Sequence, residues 1–184
     1  MSIRDAMESA LLSREIVSVH TDKEDWSSCA VGLVDGLSDL HVCLKSISKD
    51  GCVGGFEVRR LEDIFKLDCD GSYERKLRNL VDATQISLPA SIGESSDLLL
   101  DVLERAKEQG LVVTIWGGDL DDSLVGFVRE LSDEAVRVSV VDEFGCADGY
   151  SWLSLEEIVA LDAGTAPELK LARAWTKQAS GASS

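Results

Sequence analysis

Apolar and polar positions alternate along this chain in short runs, and the runs occur twice. Residues 2–13, SIRDAMESALLS, space Ile3, Met7, Ala10 and Leu11 along one face of a helix, with Ser2 and Asp5 placed for a capping box. A matching helix is predicted over SSDLLLDVLERAKEQ, where Leu99, Val102, Leu103 and Ala106 share a face. Each is followed by a short β-branched run, Ile16, Val17 and Val19 in one case and Val112, Val113 and Ile115 in the other, which predicts a strand. CAVGLVDGLSDLHVCLKSI and SLVGFVRELSDEAVRVSVV then read as long hairpins with Ser-Asp at the tip. GFEVRRLEDIFKLD and GYSWLSLEEIVALD each add two short strands around an abrupt Leu-Glu corner, for about five strands per half. SYERKLRNLVDA closes the first half as a helix, and Thr165, Pro167 and Glu168 open the closing helix of the second.

The two halves match at a fixed offset of 94 residues, Gly32 falling on Gly126, Cys52 on Cys146 and Asp68 on Asp162, with no gap through the hairpins and corner. The expected organisation is therefore a tandem repeat: a first domain over 1–88, a linker over 89–96, a second domain over 97–178 and a disordered tail over 179–184. Glycine weakens a strand, so its recurrence as Gly32 and Gly126 predicts a sharp bend or a close approach of two backbones. Five short bent strands beside a helix predict a small closed or nearly closed barrel, which removes most of the exposed strand edge.

Composition narrows the function classes. The formal net charge is −16, and the imbalance grows along the chain: residues 1–89 hold 11 basic and 16 acidic side chains, residues 90–184 hold 7 and 18. Such a field repels a phosphate backbone and removes the counterion-release term behind general nucleic-acid affinity, although a local basic patch is compatible with it. The amphipathic opening helix is not a signal peptide, and no apolar run reaches the roughly 20 residues that span a bilayer, so a cytoplasmic protein is expected. Five cysteines form no CxxC pair, which reads as reduced, mostly buried thiols rather than a metal site.

In order and spacing each half resembles the Sm-like fold, one of the SH3-like small barrels. GLVDGLSDLHVCL and GFVRELSDEAVRV follow the Sm1 pattern of strand glycine, apolar alternation and turn, while the corners Arg60-Leu61-Glu62-Asp63-Ile64 and Ser154-Leu155-Glu156-Glu157-Ile158 stand at the Sm2 corner. The resemblance implies two tandem five-stranded barrels with flanking helices and association through barrel edges into oligomers. In RNA-binding Sm proteins an Asp, an Asn and the Arg-Gly of the corner form the base pocket. Here Ser38 and Ser132 stand near the Asp position, His41 and Ala135 near the Asn position, and Leu61 and Leu155 replace the glycine; Arg60 is retained in the first half alone. The resemblance thus implies a scaffold whose RNA site has degenerated.

Catalytic motifs are missing: there is no Walker A, dinucleotide fingerprint or GxSxG sequence, and neither His20 nor His41 has a partner at catalytic or metal-ligating spacing. Asp119, Asp121 and Asp122 lack the glycine and late glutamate of a calcium loop. Ser38-Asp39 and Ser132-Asp133 read as turn formers, and Arg75, Lys76 and Arg78 as the solvated face of a helix. Trp152 takes the place of Val58, as a core or interdomain filler, whereas Trp26 and Trp116 lie near loops where an exposed ring anchors a partner. The expectation is a protein-interaction or assembly module with no enzymatic activity and no cofactor or metal, its candidate interaction residues being Trp26, Trp116, His41 and Arg60. The alternative is an Sm-like RNA-binding regulator.

Overall fold

The computed structural model describes residues 2–84, 91–92, 95–118 and 123–181. The chain divides into two compact units, Met1–Leu98 and Leu99–Ser184. Among the described residues there are ten strands, four α-helices and two short 3-10 helices, and the strand ladders are antiparallel, so the protein is mainly β. Of the expected linker, residues 89, 90, 93 and 94 lie outside the described residues, as do 182–184 of the expected tail. No helix among the described residues is long and apolar enough to cross a membrane.

In the first unit α1 (Ile3–Ser13) begins at the capping box its sequence encodes: the Asp5 N–H donates to Ser2 Oγ at 3.1 Å, and the Ser2 N–H donates to Asp5 Oδ2 at 2.7 Å. Five strands follow, β1 (Ile16–His20), β2 (Ala30–Leu37), β3 (His41–Ile47), β4 (Val53–Arg60) and β5 (Lys66–Cys69), then α2 (Ser72–Thr84). Both faces of this sheet are apolar. Met7 and Ala10 of α1 pack with Val17, Val19, Val42 and Leu44, while Leu77 of α2 packs with Ile16, Val31, Leu33 and Ile47. That is why β1 is buried along its whole length, without the in-out alternation of a sheet solvated on one side.

The second unit runs through α3 (Leu98–Gln109), β6 (Val112–Trp116), β7 (Ser123–Leu131), β8 (Ala135–Val141), β9 (Ala147–Ser154), β10 (Ala160–Ala163) and α4 (Ala166–Gly181). Its α4 covers Val112, Phe127 and Val141 with Leu171, Ala172 and Trp175. The irregularities of the two sheets correspond: β2 bulges between Val34 and Gly36, and β7 between Val128 and Glu130. Each 3-10 helix, Leu61–Asp63 and Leu155–Glu157, is tied to the preceding hairpin tip, by Leu61 N–H to the Leu40 carbonyl and by Leu155 N–H to the Glu134 carbonyl, both at 2.9 Å.

Closure is where the structure departs from expectation. The strands of each unit form an open sheet, in the orders β5-β1-β2-β3-β4 and β10-β6-β7-β8-β9, not a closed barrel. The reason lies in the last strand. Four residues long, β5 places all of them against β1, from Val17 opposite Cys69 to His20 opposite Lys66. The 3-10 turn therefore carries the chain across from one edge of the unit to the other instead of pairing β4 with β5. β10 does the same against β6, from Ala160 opposite Trp116 to Ala163 opposite Val113.

Candidate functional site

The serines at the hairpin tips are turn formers. Ser38 Oγ accepts the His41 N–H at 3.0 Å and Ser132 Oγ accepts the Ala135 N–H at 3.1 Å, with backbone bonds closing the same turns. The first tip leads directly to two of the four candidate interaction residues, since His41 and Arg60 are cross-strand partners at the end of the β3–β4 ladder. Burial holds the His41 imidazole below its ordinary pKa; Asp97 opposes that shift and Arg60 adds to it. At neutral pH the pair thus presents one cation and one neutral ring.

The other two candidates belong to other elements. Trp26 sits in the β1–β2 loop with 63% of its surface exposed, its indole N–H on the Lys23 carbonyl at 2.9 Å and its ring 5.4 Å from that of Phe65. Trp116 is half-buried at the end of β6 in the other unit. The expected acidic loop, Asp119, Asp121 and Asp122, lies outside the described residues. The basic run on α2 is largely solvated, with Arg75 on Asp70 at 3.3 Å and Arg78 donating to the Arg14 carbonyl.

Several buried polar groups escaped the sequence reading. Glu74 and Glu168 occupy the third position of their closing helices, are 5% and 4% exposed, and accept hydrogen bonds from hydroxyls of the first strand of their own unit: Ser18 onto Glu74, and Thr114 onto Glu168 at 2.6 Å. Thr165 donates to the second oxygen of Glu168. The repeat held this signal, because the glutamates stand 94 residues apart and each half has a lone hydroxyl in its first strand. The β2 bulge re-aims Asp35 so that its carboxylate meets Lys45 Nζ at 2.8 Å, the Ser91 hydroxyl and the Ile92 N–H at 2.7 Å, beside a recess of about 180 Å³. A serine beside a lysine suggests nucleophile chemistry, but an ammonium engaged with a carboxylate has no lone pair to take the hydroxyl proton. The cluster is a clasp for residues 91 and 92.

His20 is the other reactive-looking group. Its Nε2 lies 2.9 Å from Asp68 Oδ2 and 3.2 Å from Lys66 Nζ, and Nδ1 is buried without a hydrogen-bond partner among the described residues. Lys66, ahead of the His20 contribution, holds the Asp68 carboxyl below its usual range. No hydroxyl or thiol is among the hydrogen-bond partners of His20 in the described residues, so it orients no nucleophile there. No group of three or more His, Cys, Asp or Glu side chains among the described residues is arranged to hold a metal ion.

The prominent exposed feature is aromatic. On β9, Tyr150 and Trp152 alternate onto one face and are 64% and 56% exposed. Trp152 is therefore not the filler that its alignment with Val58 suggested: Val58 is 1% exposed and Phe56, at the position of Tyr150, 3%. Arg137 is the cross-strand partner of Trp152, lies with its guanidinium 4.4 Å from the centre of the Tyr150 ring, and pairs with Glu130. What the fold and surface define is thus a mainly β chain of two units with a pair of exposed rings side by side on one strand face. Set against protein-family models, curated proteins and solved structures, the chain matches none.

Proposed function

We propose that this chain is a non-enzymatic protein-interaction or assembly module made by tandem duplication of one Sm-like scaffold whose sheet stays open. The carrying observation is the exposure of Tyr150 and Trp152 on neighbouring positions of one strand face, where rigid rings supply large contact area at little entropic cost. The engagement of Ser18, Ser38, His20 and Ser91 in bonds that hold turns, strands and helices supports the non-enzymatic part. Helix, five strands and helix in each unit, with bulges at equivalent places, support the duplication. An affinity pull-down from the source organism is expected to recover a partner with the wild-type chain and to lose it with a Tyr150→Ala, Trp152→Ala double variant. Equal recovery by both would reject this reading.

A second reading, an RNA-binding regulator of the Sm-like kind, draws on the pairing of His41 with Arg60 at the place where the family resemblance puts a base pocket. The net charge of −16 works against it. It requires salt-sensitive binding of single-stranded RNA that weakens on Arg60→Ala, and a flat titration at low salt removes it.

A further inference from the structure

The strip on β9 has three properties beyond exposure, and together they specify what docks there. It lies on an edge strand: β8 is the ladder partner of β9 among the described residues, and β9 ends the order β10-β6-β7-β8-β9, leaving one row of backbone N–H and C=O groups facing outward. It is acidic: from residue 130 to residue 157 the chain holds eight carboxylates and one basic side chain, Arg137, whose guanidinium is already engaged with Glu130. And the strip already seats a guanidinium on a ring, that of Arg137 on Tyr150, while the Trp152 ring stays exposed. The equivalent positions of the first unit, Phe56 and Val58, are buried, so a covered state of this face is compatible with the strand geometry.

Resting on the interaction-module reading above, we propose that β9 takes up an extended, arginine- or lysine-rich segment of a partner protein as an added strand, with alternate cationic side chains laid over Tyr150 and Trp152. Strand addition pairs the open backbone row and gives affinity. The alternation of an extended chain brings every second side chain onto the aromatic face, where cation–π contact and the surrounding carboxylates select for positive charge. A second copy of this chain is disfavoured as occupant, because it brings another net charge of −16 to an acidic surface.

The probe is a synthetic peptide of alternating Arg and Thr, eight residues long to match β9, titrated into the full chain by calorimetry and tryptophan fluorescence. Glu-Thr and N-methylated Arg-Thr peptides serve as controls. Binding of the Arg-Thr peptide is expected to weaken about tenfold on Trp152→Ala and recover in Trp152→Phe. N-methylation, which blocks the outward ladder, is expected to abolish it, and the Glu-Thr peptide to be silent. Circular dichroism of the variants guards against misfolding, and Tyr150→Ala gives an independent second site. Equal affinity of the N-methylated peptide, or indifference to both ring substitutions, would mean charge attraction alone and overturns the proposal. Sedimentation distinguishes the remaining case: Trp152-dependent self-association with no peptide binding overturns the basic-segment proposal while leaving an interaction module in place.

Discussion

A methyl group added to Gly32 would overlap the Lys45 carbonyl oxygen, and one added to Gly126 would overlap that of Ser139. Both glycines therefore stand where the second strand of a unit crosses the third too closely for any Cβ, and both obstacles are backbone that cannot swing away. Gly126→Ala is expected to lower stability by about 3 kcal/mol in urea unfolding, whereas Gly54→Ala, where nothing lies within 4 Å, is expected to leave the midpoint nearly unchanged. The sequence could show that these two glycines recur. It could not choose between a bend and a close approach, since that depends on a carbonyl over ten residues away. His41 was legible as a residue in a strand but not as a half-buried base. Because its folded-state pKa is depressed, the unfolded chain binds the proton more readily, and stability is lost as pH falls from about 6.5 through the lower folded value. His41→Gln is expected to flatten that part of the stability profile in chemical unfolding measured from pH 7 to about pH 5.

At the scale of elements, the capped first helix, the hairpins and the Leu-Glu corner could be read from local patterns, because caps, turns and alternation are short-range chemistry. The strap between the closing helix and the first strand could not, since Ser18 and Glu74 are separated by most of a unit. A carboxylate buried at the start of α2 loses its hydroxyl donor in Ser18→Ala, and an unsatisfied buried group of this kind costs about 2 kcal/mol. Thr114→Val should cost a similar amount through Glu168, with Thr165 still donating to the other oxygen. Thermal unfolding of the two single variants checks both, and an unchanged midpoint in either would mean that water replaces the strap. The exposed rings of β9 were missed for a related reason: alternation marks Trp152 as sharing a face with Tyr150, yet only the surroundings decide whether that face is covered.

At the scale of the whole molecule, the mainly β content was legible in the short alternating runs, whereas the apolar layer on each side of the first sheet was not. The open sheet was not legible either, because the length of the last strand and the strand it chooses decide closure, and neither is written in any one segment. The thiols give the molecule a built-in record of its own opening. Cys52 and Cys69 are exposed, whereas Cys43, in the middle of β3, has no accessible surface. A thiol reagent should thus modify the first two at once and reach Cys43 only when the central strands of the first unit part, so its labelling rate times that event. Cys146, half-buried just before β9 in the second unit, needs only a local fluctuation there to react. Mass spectrometry of one labelled sample should therefore separate the opening of the first unit from local exposure elsewhere, with no mutation and no added dye.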